Sequence, residues 1–165
     1  MDNSVFWGNL CSVLAMGTDT VSTGRKTTRS MLFFQTLSQL FYIVGAIVLK
    51  GYSAAVQNGV SIVRNVLAIS KWQYRWMEYA LIALAVVLGL LFNNRGAVGL
   101  LPIIANLEYS LCVFRFRQNE RALKRSFLLM VGMFIVFNAF ILNFVGALSN
   151  LVVFVSTAVM LVKDR

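Results

Sequence analysis

The sequence predicts an all-α integral membrane protein. Its seven transmembrane helices form two parallel three-helix repeats separated by one linker helix, with the N-terminus outside and the C-terminus in the cytoplasm. Three observations lead there. Of 165 residues, 59% are apolar and 13% charged, about half the charge of a soluble domain, where roughly 25% is usual. The mean hydropathy of +0.76 is spread along the whole chain, which is more apolar surface than the core of one small domain can absorb. Lys and Arg recur on alternate connections between the apolar stretches.

A helix of about 20 apolar residues crosses about 30 Å of hydrocarbon, and only helices or closed barrels satisfy their backbone there. Runs such as Phe127-Leu128-Leu129-Met130-Val131 lack the alternation of a barrel strand. The first span, 5–18, is the weakest, interrupted by Asn9 and Ser12 and followed by Asp19. It begins after Met1-Asp2-Asn3, without the basic region of a cleavable signal, so it is expected to be retained. The second and third spans, 30–49 and 51–70, are separated only by Lys50. The fourth is 75–92. The fifth, 96–114, is followed by a basic loop over 115–125. The sixth and seventh, 126–143 and 144–162, leave almost nothing between them and are expected to form a tight hairpin.

Alternation of the spans gathers Arg25, Lys26, Arg29, Lys71, Arg75, Arg115, Arg117, Arg121, Lys124, Arg125, Lys163 and Arg165 on one side, against Lys50 and Arg95 on the other. Such a bias over short loops marks the cytoplasmic face. The net charge of +9 is thereby read as topology and contact with anionic lipid headgroups, not as a nucleic-acid interface. With no His, and with Cys11 and Cys112 both inside apolar stretches, no metal site, disulfide or cofactor is expected. An intramembrane enzyme would need a His, a Ser/Lys or Asp pair, or a metal set; none is seen, and the protein is read as a non-enzyme.

The first and last three spans align with each other. Asn9-Leu10 lies against Asn106-Leu107, Arg29-Ser30-Met31-Leu32 against Arg125-Ser126-Phe127-Leu128, and Ala55-Val56-Gln57-Asn58 against Ala147-Leu148-Ser149-Asn150. Four spans separate equivalent starts, so the repeat is parallel, and transporters of this build bind substrate where the halves meet. The chain is one transmembrane domain: 1–70 is the first repeat, 71–95 the linker and 96–165 the second repeat.

The stretch Gly51-Tyr52-Ser53-Ala54-Ala55-Val56-Gln57-Asn58, followed by Ile62-Val63-Arg64-Asn65, resembles the third helix of the Imp-YgjV family of bacterial inner-membrane proteins. Leu100-Leu101-Pro102-Ile103-Ile104, Phe137-Asn138 and Gly146 are also similar to that family. The resemblance extends from about Arg25 onward. It implies the wider group of SWEET, PQ-loop and nicotinamide riboside transporters, built as three helices, a linker and three helices. By that resemblance Asn58 and Asn150 take the places of the substrate-facing asparagines. There is no Pro-Gln pair, and Pro102 is the single proline, so the proline hinges of SWEET transporters are mostly missing.

Polar groups at hydrocarbon depth face a bundle interior or a wet cavity. Asn58, roughly 10 Å into its span, and Asn150, at a comparable depth, are candidate solute ligands; the alternative is glue between helices. Glu108, roughly 18 Å deep, is a candidate proton carrier that should be protonated, paired with Arg64, or open to a polar cavity; the alternative is a structural carboxyl bonded to Asn9 or a backbone carbonyl. Arg64 either snorkels to the headgroups or meets an anionic solute or Glu78. Asn138, with Gln35 and Gln39, lines the same cavity or packs between helices. Trp72 and Trp76 read as interfacial anchors, and Trp7 as a cap on an outer vestibule. The expected function is transport of a small polar solute, possible coupling to protons included. The alternative is an accessory or sensor protein whose basic loop docks a partner or anionic lipid.

Overall fold

The computed structural model describes residues 3–48, 52–70, 74–93, 96–140 and 144–163. They form seven α-helices and, among the described residues, no strand: α1 (Asn3–Thr23), α2 (Thr28–Val48), α3 (Tyr52–Ile69), α4 (Arg75–Leu91), α5 (Leu100–Arg115), α6 (Glu120–Phe140) and α7 (Phe144–Lys163). Gly51, Lys50, Lys71, Trp72, Arg95, Asn143 and Arg165, on which parts of the topology reading rest, lie outside the described residues.

Three helices depart from the expected bounds by four residues or more: α5 begins at Leu100 instead of at 96, and α1 and α6 are extended. The first helix continues past Thr18 to Thr23, and the hydroxyls of its last turn are satisfied within it: Ser22 Oγ donates to Asp19 O at 2.7 Å and Thr23 Oγ1 to Thr20 O at 2.8 Å. The basic loop expected over 115–125 is shorter than read, because α6 begins at Glu120. Asn119 Oδ1 accepts the Ala122 N–H at 3.0 Å, an N-cap that starts the helix and places Arg121, Lys124 and Arg125 on its first turns. Thr27 Oγ1 plays the same part before α2, accepting the Ser30 N–H at 3.3 Å. Pro102 falls in the first turn of α5, where its missing N–H costs no helical bond.

The helices close into a ring. Each of α1–α2, α2–α3, α5–α6 and α6–α7 packs side by side, and α1 meets α7 while α3 meets α5. The fourth helix lies outside, across the α3–α5 seam. Its buried residues Leu81, Ala85 and Gly89 repeat every four positions. A Cβ at Gly89 would stand 2.7 Å from Gln57 Nε2 and 2.8 Å from Ile103 Cγ1, so glycine is what permits this close approach.

The interior is the polar part of the molecule. Among buried side chains, polar and charged residues outnumber apolar ones, while Leu, Val, Ile and aromatic side chains from every helix are exposed. In water such a surface would lose roughly 25 cal/mol for each Å² of apolar area left uncovered; lipid removes that cost. The apolar core lies toward one side, with Met31 and Leu32 of α2, Tyr109 and Val113 of α5, and Leu123, Phe127 and Met130 of α6. The α6 and α7 helices are long and apolar enough to cross a membrane by length and composition alone. The others are not, for two reasons. The α4 and α5 helices have 17 and 16 residues, and α1 to α3 carry their polar residues on the face that the ring covers.

Candidate functional site

Along the α3–α5 seam, polar side chains at helical spacing form a ladder. On α3 they are Gln57, Ser61, Arg64 and Asn65; on α5 they are Asn106 and Ser110, all buried. From the inner end, Gln57 Nε2 donates to Ala85 O of α4 at 3.2 Å, and Asn106 Nδ2 donates to Gln57 Oε1 at 3.1 Å. Ser61 Oγ donates to Asn106 Oδ1 at 3.4 Å, and Arg64 Nη1 to Ser110 Oγ at 3.4 Å. Each step leaves a carboxamide or hydroxyl satisfied across a helix interface.

At the end of this ladder the bonding becomes incomplete. Arg64 is 1% exposed. Its Nε donates to Asn65 Oδ1 at 3.1 Å, and its guanidinium lies 4.6 Å from the centre of the Tyr109 ring. Among the described residues no carboxylate stands within 4.0 Å of it, since the one ion pair there joins Arg117 to Glu78. A cation over a ring contributes at most about 2 kcal/mol, whereas a buried ion costs several. The charge is therefore only partly compensated. Tyr109 OH donates to Gln35 Oε1 at 2.6 Å. Of this group Gln35 Nε2 and Asn65 Nδ2, and farther along α2 Gln39 Oε1 and Tyr42 Oη, are buried without a protein hydrogen-bond partner. Each such atom costs about 1–3 kcal/mol if left unpaired. Nearby, buried Asp19 of α1 accepts a 2.5 Å hydrogen bond from Ser38 Oγ of α2.

Arg64, expected to reach the headgroups or Glu78, does neither: it is buried, and Glu78 pairs with Arg117 of the α5–α6 turn. Glu108 is half-buried and pairs with neither Arg64 nor Asn9; its two oxygens accept Ser126 Oγ at 2.9 and 2.8 Å. Asn58 and Asn150 are half-buried, and the residues turned fully inward beside them are Gln57 and Ser149. Asn138 is buried in α6. The expected site residues are thus distributed around the ring and are not gathered at one point. Asp19, Tyr109 and fully buried Lys124 were passed over in the sequence. Asp19 shares the Ala15, Ser22 and Thr23 face of its helix, and that periodicity was the available signal.

At the basic end of the ring a cavity of about 1150 Å³ opens between the α1–α2 turn, the last turn of α3 and the α5–α6 turn. Lys26, Arg29, Arg115, Arg117 and Arg121 line it against one carboxylate, Glu120, and Leu32, Ala68 and Ile69 form its inner wall. It is lined by none of Asn58, Glu108, Asn138, Asn150 or Arg64. Ala68 is four residues beyond Arg64 on α3, about 6 Å along the axis, so the wall is one helical turn from the incompletely bonded group. Burial lowers the Arg117 guanidinium from its ordinary value.

A ring of helices that is apolar outside, polar within and basic at one end defines a helical membrane protein. The chain belongs to the Imp-YgjV family, described as bacterial inner membrane protein, whose model matches residues 6–165. Its location is accordingly the bacterial inner membrane. Comparison with curated proteins and with solved structures gives no match.

Proposed function

We propose that the protein transports a small polar solute through the centre of the ring. The observation that supports this most is the set of buried, unpartnered atoms on Gln35, Gln39 and Tyr42 of α2 and on Asn65, the neighbour of Arg64 on α3. Helix glue satisfies its members, as the Gln57–Asn106 pair does; these four atoms are buried donors and acceptors that no protein group satisfies. The sequence candidates Asn58, Asn138 and Asn150 extend the polar lining, and Glu108, held by Ser126, is the group available to carry a proton with the solute.

Three features support two equivalent halves around α4. Exchanging α1–α3 with α5–α7 converts the α3–α5 contact into the α7–α1 contact. The equivalent helices α2 and α6 both start from a side-chain cap. Gln57 and Ser149, matched in the repeat, are both buried. In this reading the halves rock against each other with the basic end in the cytoplasm.

Purified protein in proteoliposomes is the test. Saturable uptake of at least one solute from a panel of sugars, nucleosides and amino acids is expected, reduced at least about tenfold in the Gln35→Ala, Asn65→Ala double variant. The self-satisfied α3–α5 ladder favours a second reading, an accessory or sensor protein whose polar residues only hold helices together. Absence of uptake for every solute would favour that one.

A further inference from the structure

The vestibule has a chemistry of its own. Its charged lining is mainly cationic and comes from two directions: Lys26 of the α1–α2 turn and Arg29 of the first turn of α2 on one side, Arg115 at the end of α5 with Arg117 and Arg121 beyond it on the other, against the carboxylate of Glu120. Glu78 holds the Arg117 guanidinium by one nitrogen. The α2 and α6 helices, 21 residues each, both begin at this wall, adding the partial positive charge of their first turns. Beyond the wall, one turn along α3, stands a buried guanidinium with no carboxylate among the described residues.

A planar carboxylate accepts in one plane. A tetrahedral phosphate accepts on all sides, which is what donors on opposing walls require. The volume of about 1150 Å³ exceeds the usual ligand pocket of roughly 300–1,000 Å³, leaving room for the rest of a phosphate-bearing molecule.

We propose that the basic vestibule is a phosphate-binding site, with Lys26, Arg29, Arg115 and Arg117 as its donors. The phosphate belongs either to a soluble molecule or to the headgroup of an anionic lipid. Binding here does not depend on transport, so the site and the transport reading stand or fall separately.

The thermal midpoint of the full-length protein in neutral detergent tests it in two arms. One arm adds inorganic phosphate, against acetate and chloride at equal ionic strength; the other adds phosphatidylglycerol, against phosphatidylcholine. A saturable rise of about 3 °C or more is expected in at least one arm, since a ligand bound only by the folded state raises the midpoint. A rise with phosphate identifies a soluble ligand, and a rise with phosphatidylglycerol alone identifies the headgroup. The Lys26→Gln, Arg115→Gln variant, both positions exposed, should lose the rise. The Arg75→Gln, Arg125→Gln variant, equally exposed at the same end but outside the lining, should keep it. No rise in either arm, an equal rise with acetate, or equal loss in both variants would overturn the proposal.

Discussion

At the scale of single residues, Arg64 is the side chain most at odds with its surroundings. Removing a partnered buried charge normally destabilises a fold, because the partner is left uncompensated. Arg64 has no carboxylate partner among the described residues, so the sign should reverse. Arg64→Met is expected to match or exceed the wild-type midpoint, by a gain of about 1–4 kcal/mol less the lost contacts to Asn65 and Ser110, while solute uptake falls. Thermal unfolding and proteoliposome uptake on the same preparation check both halves; a clear drop in midpoint would contradict the account. Arg64 was visible in the sequence, and its direction was not. A position near a helix end permits snorkelling, and only the stripe of Gln57, Ser61, Arg64 and Asn65 at helical spacing shows that it turns inward. The same stripe explains why attention to Asn58 falls one residue to the side: residue type singles out both carboxamides, and the helical period selects Gln57.

Among elements, α4 is set apart, held against the α3–α5 seam by small residues and by Gln57 reaching Ala85 O. Gly89→Val should push it off that seam. The new branch would overlap Gln57 and Ile103, and overpacking of this kind costs about 1–3 kcal/mol. A lowered midpoint with slower exchange protection lost first along α4 is the expected result, measurable by hydrogen exchange. The order and number of helices were legible in the sequence because charge and turn residues interrupt each apolar run. Their ends were not. Capping by Asn119 starts α6 more than a turn early, and α1 runs on through the polar residues Asp19, Ser22 and Thr23, neither of which hydropathy can register. The polar faces of α1 to α3 lowered the hydropathy of helices that the ring nevertheless accommodates.

For the whole molecule, the excess of Lys and Arg at one end of the ring predicts that this end faces the cytoplasm. Single cysteines introduced at Arg75 and Gly96, after replacement of Cys11 and Cys112, should react oppositely with a membrane-impermeant maleimide added to intact spheroplasts. Residue 96 should label and residue 75 should not, until the membrane is opened. Labelling at residue 75 in sealed cells would invert the topology. This scale was the least legible, because which helices adjoin is a matter of tertiary contact: no motif announces that α1 meets α7 or that α4 stays outside.

Closure of the ring by α1 against α7 has a bearing on biogenesis. The α1 helix leaves the ribosome well before α7 and must wait for it before that flank is covered, although Asp19 already finds Ser38 of α2. A nascent chain halted before α7 would present hydrophilic side chains to acyl tails, which makes shelter by the insertion machinery, or swift degradation, the fate of every truncated copy.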